Sequence, residues 1–215
     1  MSVLIGFGYQ MRQGKDTAVQ AIIKARNGKY DIRRYGFADA VKEEYTEACK
    51  EAGSAWDLMQ GMRVTHNLPD WVQYDFAAPM DDPLCPYGKQ RTFLQWWGTE
   101  YRRAQDSCYW VRSLAKKIDK DKPQFALLSD VRFPNEAAFV KLAGGFTVKV
   151  TRAGYTNPSD HPSEHMLDGY EFDFQLNGVD GDRAGLEGLA VSFFDWLVEC
   201  LDPKPGECVG LKKAA

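Results

Sequence analysis

Short apolar runs alternate with longer stretches of helical periodicity along most of the chain. Runs at 3–7, 32–37, 125–129 and 146–151, with a weaker one at 172–176, have the length and apolar density of strands buried in a sheet. Between them, 17–26, 38–52, 92–104, 109–118, 136–142 and 185–201 read as helices. Such alternation predicts an α/β fold: a mainly parallel five-stranded sheet with helices on both faces and ligands beyond the carboxyl ends of the strands. One interval breaks the rhythm. Residues 38–122 lie between the second and third strands and hold several helical patterns plus the Pro/Asp/Gly-rich stretch 77–89. So long a span reads as a helical insertion, because structureless connections of that length are uncommon in compact domains. The expected organisation is a single domain over 1–201, with a core from 1–37 and 123–201 and the insertion 38–122, followed by a peripheral tail, 202–215.

Composition narrows the class. A chain of 215 residues, 44% of them apolar, suits one α/β domain with a sizeable core, and no apolar run approaches the length of a membrane span. The first strand begins almost at Met1, which leaves no room for a signal peptide and points to a cytoplasm. Five cysteines without a CxxC pair suit free thiols in a reducing compartment. A formal charge of −3 and a pI near 5.7 disfavour stable binding to a nucleic-acid backbone.

The sharpest chemical signal follows the first strand. Gly8, Arg12 and then Gly14-Lys15-Asp16-Thr17 stand between a strand and a helix. That order builds a phosphate cradle, in which loop amides and a helix N-terminus face an anion and a lysine neutralises it. The spacing departs from the usual P-loop: Gly8 and Gly14 are separated by five residues, and Tyr9 stands where the first glycine belongs. The loop is therefore one residue longer, or opens without its glycine. Asp16 takes the place of the usual Mg²⁺-binding hydroxyl, so its carboxylate or the Thr17 hydroxyl is the candidate to approach the metal.

Three further clusters lie where strands end or helices begin. The first, residues 91–103, contains Gln95, Trp96, Trp97 and Arg103 and is followed by Trp110 and Arg112; its rings could stack on a base and its guanidinium forks could hold a phosphate. The plainer reading is an amphipathic helix with its tryptophans in the core. The second, Ser129-Asp130-Val131-Arg132-Phe133-Pro134-Asn135-Glu136, places an acid able to hold Mg²⁺ at a strand end and Arg132 two residues on, with Pro134 opening the next helix. The third begins at Arg152 and runs through Gly154 and Pro158 to His161-Pro162-Ser163-Glu164-His165, a polar stretch suited to a lid over 152–168. The same string spells H-x-x-E-H, in which His161 and His165 on one helix face would bind zinc and Glu164 would activate a water.

Taken in order, these segments resemble the deoxynucleoside monophosphate kinases encoded by tailed bacteriophages, members of the P-loop kinase superfamily. The resemblance rests on 12–17, on Phe37-Ala38-Asp39 with Lys42 and Glu43, on 94–100 with Arg103 and 110–112, on 130–136 and on 161–164. It implies a three-layer sandwich with a helical acceptor-binding insertion and a lid, and transfer of the γ-phosphate of ATP to a dNMP with Mg²⁺. It further implies that Lys15 binds the β- and γ-phosphates. Gly8, Gly14 and Thr17 would contribute to the cradle, and Asp16, Thr17 and Asp130 would hold the metal or its waters. Arg132 and Arg103 would hold the acceptor phosphate, while Arg12 and Arg152 would bridge the two nucleotides. Asp39, Gln95 and His161 would contact the acceptor, with Trp96 or Trp97 stacking on its base. A homodimer is compatible with this reading. The rivals are a P-loop kinase acting on another acceptor, such as a hydroxymethylated base in DNA, the zinc hydrolase, and a non-catalytic nucleotide-binding protein.

Overall fold

The computed structural model describes residues 2–156 and 162–202. In chain order the elements are β1 Val3–Gly8, α1 Lys15–Arg26, β2 Ile32–Tyr35, α2 Phe37–Ala52, α3 Ala55–His66 and α4 Arg91–Trp96, which runs on as a π-helical segment, Trp97–Arg103. There follow α5 Tyr109–Asp121, β3 Phe125–Val131, α6 Pro134–Leu142, β4 Phe146–Ala153, a 3-10 turn Pro162–Glu164, β5 Phe174–Val179 and α7 Arg183–Leu201. The chain divides into two compact units, one reaching from the N-terminus to Gly36 and resuming at Lys117, the other Phe37–Lys116.

The first unit carries a five-stranded sheet in the order β2-β3-β1-β4-β5, with every neighbouring pair parallel. The crossover from β1 runs past β3 to β2, and the one from β3 runs the other way past β1 to β4, so the strand order reverses between β1 and β3 and a crevice opens at their carboxyl ends. Alternation along β1 sorts the layers. Ile5 and Phe7 point into a core made with Ala18, Val19 and Ile22 of α1 and Leu186, Ala190, Phe193, Phe194 and Leu197 of α7. Gly6 faces the other way, where a Cβ would lie 3.0 Å from the side chains of Val131 and of Val140 on α6. The outcome is a three-layer α/β sandwich, stabilised by roughly 1.5–3 kcal/mol for each large apolar side chain it buries. Arg26 of α1 is ion-paired with Asp195 of α7, its Nε 2.6 Å from Oδ1.

The fifth strand begins later than its apolar run suggests. Phe172 is not in β5 but packs against β1, where a Cβ at Gly8 would meet its ring at 2.7 Å.

The second unit is helical. Its segment 77–89 has little regular structure and is fixed by side chains: Tyr45 donates to the Gly88 carbonyl (2.8 Å), Thr46 to the Leu84 carbonyl (2.8 Å), and buried Gln90 bonds the backbone of Asp75 twice (2.7 and 2.9 Å). Ser54 caps α3 by accepting the Asp57 N–H at 3.0 Å. Glu44 of α2 fixes the π-helical segment, accepting from Trp97 Nε1 (2.7 Å), Arg102 Nε (2.5 Å) and the Tyr109 hydroxyl (2.7 Å).

Candidate active site

The loop between β1 and α1 occupies the crevice at the end of the central strand. Its first residue, Tyr9, has φ +97°, a conformation glycine adopts freely and tyrosine adopts at a cost of about 1–3 kcal/mol. The loop therefore opens at the usual glycine position with tyrosine standing there, its ring 4.1 Å from the Lys149 ammonium. Gly8, one residue earlier, closes β1 and makes room for Phe172. Arg12 is exposed and also has positive φ, +58°.

Gly14 is required on two counts. Its φ is +99°, and a Cβ there would lie 2.4 Å from Leu186 Cδ2 on α7. Having no side chain, it leaves the N-terminus of α1 without a side-chain cap, and the helix's first N–H donors remain for an anion. Gly14→Ala is expected to lower stability by about 2–4 kcal/mol through strain and overpacking together, read as a fall in Tm or in denaturant midpoint.

Lys15 is only 6% exposed. Its ammonium donates to the Tyr9 carbonyl at 3.0 Å and to the Gln10 carbonyl, folding back onto its own loop. Burial pushes its pKa down to about 8; the Arg132 charge adds to this, and Glu164, Asp16 and Asp130 oppose it. Lys15 and Arg132 supply cationic groups suited to the clustered charges of a phosphate chain, and the carboxylates around them suit a metal ion bound with it.

The carboxylates divide by position. Asp130 is half-buried near the end of β3, where Val131 pairs in register with Gly8. Asp16, in the first turn of α1, is exposed, with Arg34 Nε 3.8 Å from its carboxylate; Thr17 beside it is half-buried. Both acids act on Lys15. One or two carboxylates beside a phosphate site suit Mg²⁺, which keeps several waters and takes its other ligands from the nucleotide.

Arg132 follows β3 directly. Buried Glu136, in the first turn of α6, accepts the backbone N–H groups of Arg132 (2.7 Å) and Phe133 (3.1 Å), so the helix start fixes the main chain. The Arg132 guanidinium is ion-paired with Glu164. Arg152, near the end of β4, lies over the Tyr155 ring at 4.1 Å, with Nε 3.3 Å from Asp180. Its backbone N–H donates at 2.6 Å to Oε1 of Gln13, a loop side chain only 4% exposed. Gln13 and Glu164 thus join the loop to β4 and to Arg132. Sequence alone gives no sign of these links, which span 139 and 32 positions.

The helical unit corrects one expectation. Trp96 and Trp97 are each 5% exposed and belong to the core. Trp96 stacks on Tyr101 at 5.3 Å, while Trp97 is flanked by Phe93, Tyr101 and Arg102 and hydrogen-bonded to Glu44, so neither offers an open face to a base. Asp39 is buried, with Lys42 Nζ 3.8 Å from its carboxylate. Lys42 and Lys89 also hold Asp82, where burial pushes the carboxyl up but their hydrogen bonds and one from the Leu84 N–H prevail, setting it at about 2. Gln95 is half-buried, as is Arg103, whose Nη1 lies 3.4 Å from the Ser107 carbonyl.

The zinc arrangement needs a helix that the described residues do not form. The stretch is a single 3-10 turn, Pro162–Glu164; Glu164 faces Arg132, and His165 pairs with Asp168 at 2.9 Å. No cluster of three or more His, Cys, Asp or Glu able to hold a metal occurs among the described residues. His161, with the lid positions 157–161, lies outside the described residues. Among those residues no helix is long and apolar enough to cross a membrane.

A parallel sheet with this strand order, a phosphate loop after its central strand, a lysine opening α1 and an acid near the end of the adjacent strand define the class of P-loop kinases. No family profile matches the chain. It is 42% identical over 179 residues to a protein of Acanthamoeba polyphaga mimivirus provisionally named a deoxynucleotide monophosphate kinase, an alignment covering 77% of this chain and 82% of that protein. It is 26% identical over 254 residues to the deoxynucleoside-5'-monophosphate kinase of Escherichia phage T5, covering 96% of this chain and 100% of the phage protein. The chain belongs to the deoxynucleotide monophosphate kinase family.

Proposed function

We propose that the protein transfers the γ-phosphate of ATP to a deoxynucleoside monophosphate, giving ADP and a deoxynucleoside diphosphate. The observation that carries this reading is the placement of Lys15 at the start of α1, after β1, with Asp130 and Arg132 at the end of the adjacent strand β3, whose Val131 pairs in register with Gly8. A phosphate oxygen of the acceptor attacks the γ-phosphorus as the bond to the β-phosphate oxygen breaks, so the two anions must be brought together and their charge offset. Lys15 and the N-terminus of α1 hold the donor's phosphates. Arg132 holds the acceptor's phosphate, and Arg12 and Arg152 offset charge that shifts during transfer. Asp130 and Asp16 would hold Mg²⁺ or its waters; the ion would neutralise the β- and γ-phosphates. A reaction between free nucleotides fits a cytoplasmic enzyme.

The test is a panel of the four common dNMPs, their hydroxymethylated pyrimidine counterparts and DNA containing hydroxymethylated bases, each with ATP and Mg²⁺ and resolved by chromatography. Formation of dNDP and ADP from at least one free dNMP is expected. Turnover with modified DNA alone would reassign the acceptor, and ADP release indifferent to every acceptor would mark a nucleotide hydrolase.

A further inference from the structure

Glu164 is a carboxylate only 5% exposed, set among the cations of the phosphate site. Burying a charge is unfavourable unless it is paired and hydrogen-bonded, and its contacts meet that condition in an informative way. Oε1 pairs with the guanidinium of Arg132, and Oε2 accepts the backbone N–H of Met11 at 2.5 Å. Met11 follows Gln10, whose carbonyl holds Lys15. One carboxylate therefore ties the lysine-bearing loop to the arginine after β3, across 153 and 32 positions of sequence.

Because Glu136 already holds the main chain of Arg132, the freedom left to that residue lies in its side chain. Glu164 engages Nη1 and leaves the guanidinium side chain 29% exposed. A planar fork with five N–H donors can be held at one edge and still present others to a phosphate.

Resting on the kinase reading, we propose that Glu164 is a positioning residue for phosphoryl transfer: it fixes the Arg132 guanidinium relative to the loop that carries Lys15, so that donor and acceptor phosphates meet in register. It acts through Arg132 and touches neither nucleotide. A misplacement of about 1 Å in such a clamp is enough to cost on the order of 100-fold in rate.

The experiment is a double-mutant cycle over Glu164→Gln, Arg132→Ala and both together, with Glu164→Asp as the charge-retaining variant and circular dichroism and Tm to establish folding. In the Arg132-containing protein, Glu164→Gln is expected to lower kcat/KM for the dNMP by about 10- to 100-fold and to leave KM for ATP within about threefold. In the Arg132→Ala background it should lower it further by less than about threefold, since the group it positions is gone. Glu164→Asp should recover part of the loss, and carries the test if Glu164→Gln fails to fold. Undiminished kcat/KM in folded Glu164→Gln, or the same fold-loss with and without Arg132, would overturn the proposal. The kinase reading is tested separately by the unsubstituted protein. If that protein phosphorylates no dNMP, the same four proteins are compared by the rise in Tm that dTMP produces. Loss of that rise in Glu164→Gln and no further loss in the double variant would uphold the coupling; an unchanged or absent rise would overturn it.

Discussion

Lys15→Met is expected to lower phosphoryl transfer by about 10³-fold or more while making the nucleotide-free protein more stable. The loss of rate follows from removing the cation that faces the transferring phosphate. The gain in stability follows from burial: folding moves the lysine pKa from 10.5 to about 8, so the folded protein binds that proton less tightly than the unfolded chain. At roughly 1.4 kcal/mol per pH unit between those values, the penalty carried below pH 8 is on the order of 3 kcal/mol. Between about pH 8 and 10.5 the unfolded chain binds more protons than the folded one, so stability rises with pH and the penalty fades. Denaturant unfolding at pH 7 should place Lys15→Met above the unsubstituted protein by about 1–3 kcal/mol, allowing for the lost bonds to the Tyr9 and Gln10 carbonyls, and the gap should close towards pH 10.5. Near-normal turnover in the folded variant would remove this loop from the donor site. A gap that does not change with pH would contradict the account of the buried charge.

Arg132→Ala is expected to lower kcat/KM for the dNMP by on the order of 10²–10³ and to change ATP binding far less. Losing a planar charged fork opposite a desolvated phosphate costs roughly 2–5 kcal/mol. The same change leaves buried Glu164 without its arginine, so this variant should also lose stability, by about 3 kcal/mol. Arg132→Lys separates the two effects. It keeps a charge beside Glu164 and should keep the fold, yet it lacks the fork and should still lose about 10-fold or more in dNMP use. Equal loss of ATP and dNMP binding in Arg132→Lys would instead make the ion pair with Glu164 the chief role of Arg132.

The central strands β1 and β3 were legible because they are near-continuous apolar runs, buried along almost their whole length; β5, which buries only alternate residues, gave a weaker signal. The start of α6 was legible for a local reason: Pro134 and Glu136 act on backbone groups only a few residues away. The tryptophans were not. An amphipathic helix and a stacking platform share one spacing, and only Glu44, some fifty positions earlier, shows that the indole of Trp97 is held in the core. Gln13 and Glu164 were missed as linking residues because a polar side chain reads as exposed until the fold buries it against a distant partner. The H-x-x-E-H string offered zinc only as a rival reading, and its glutamate is paired with an arginine. Tyr9 could be read only as an anomaly of spacing, since backbone dihedrals are not written in residue types; its φ of +97° resolves how the loop begins.

Phosphoryl transfer itself can be followed through the label of [γ-³²P]ATP in the presence of Mg²⁺ and a dNMP. Label is expected in a deoxynucleoside diphosphate, in step with ADP and dependent on Lys15. Label appearing only as inorganic phosphate, or remaining in ATP with every dNMP tested, would contradict the kinase reading.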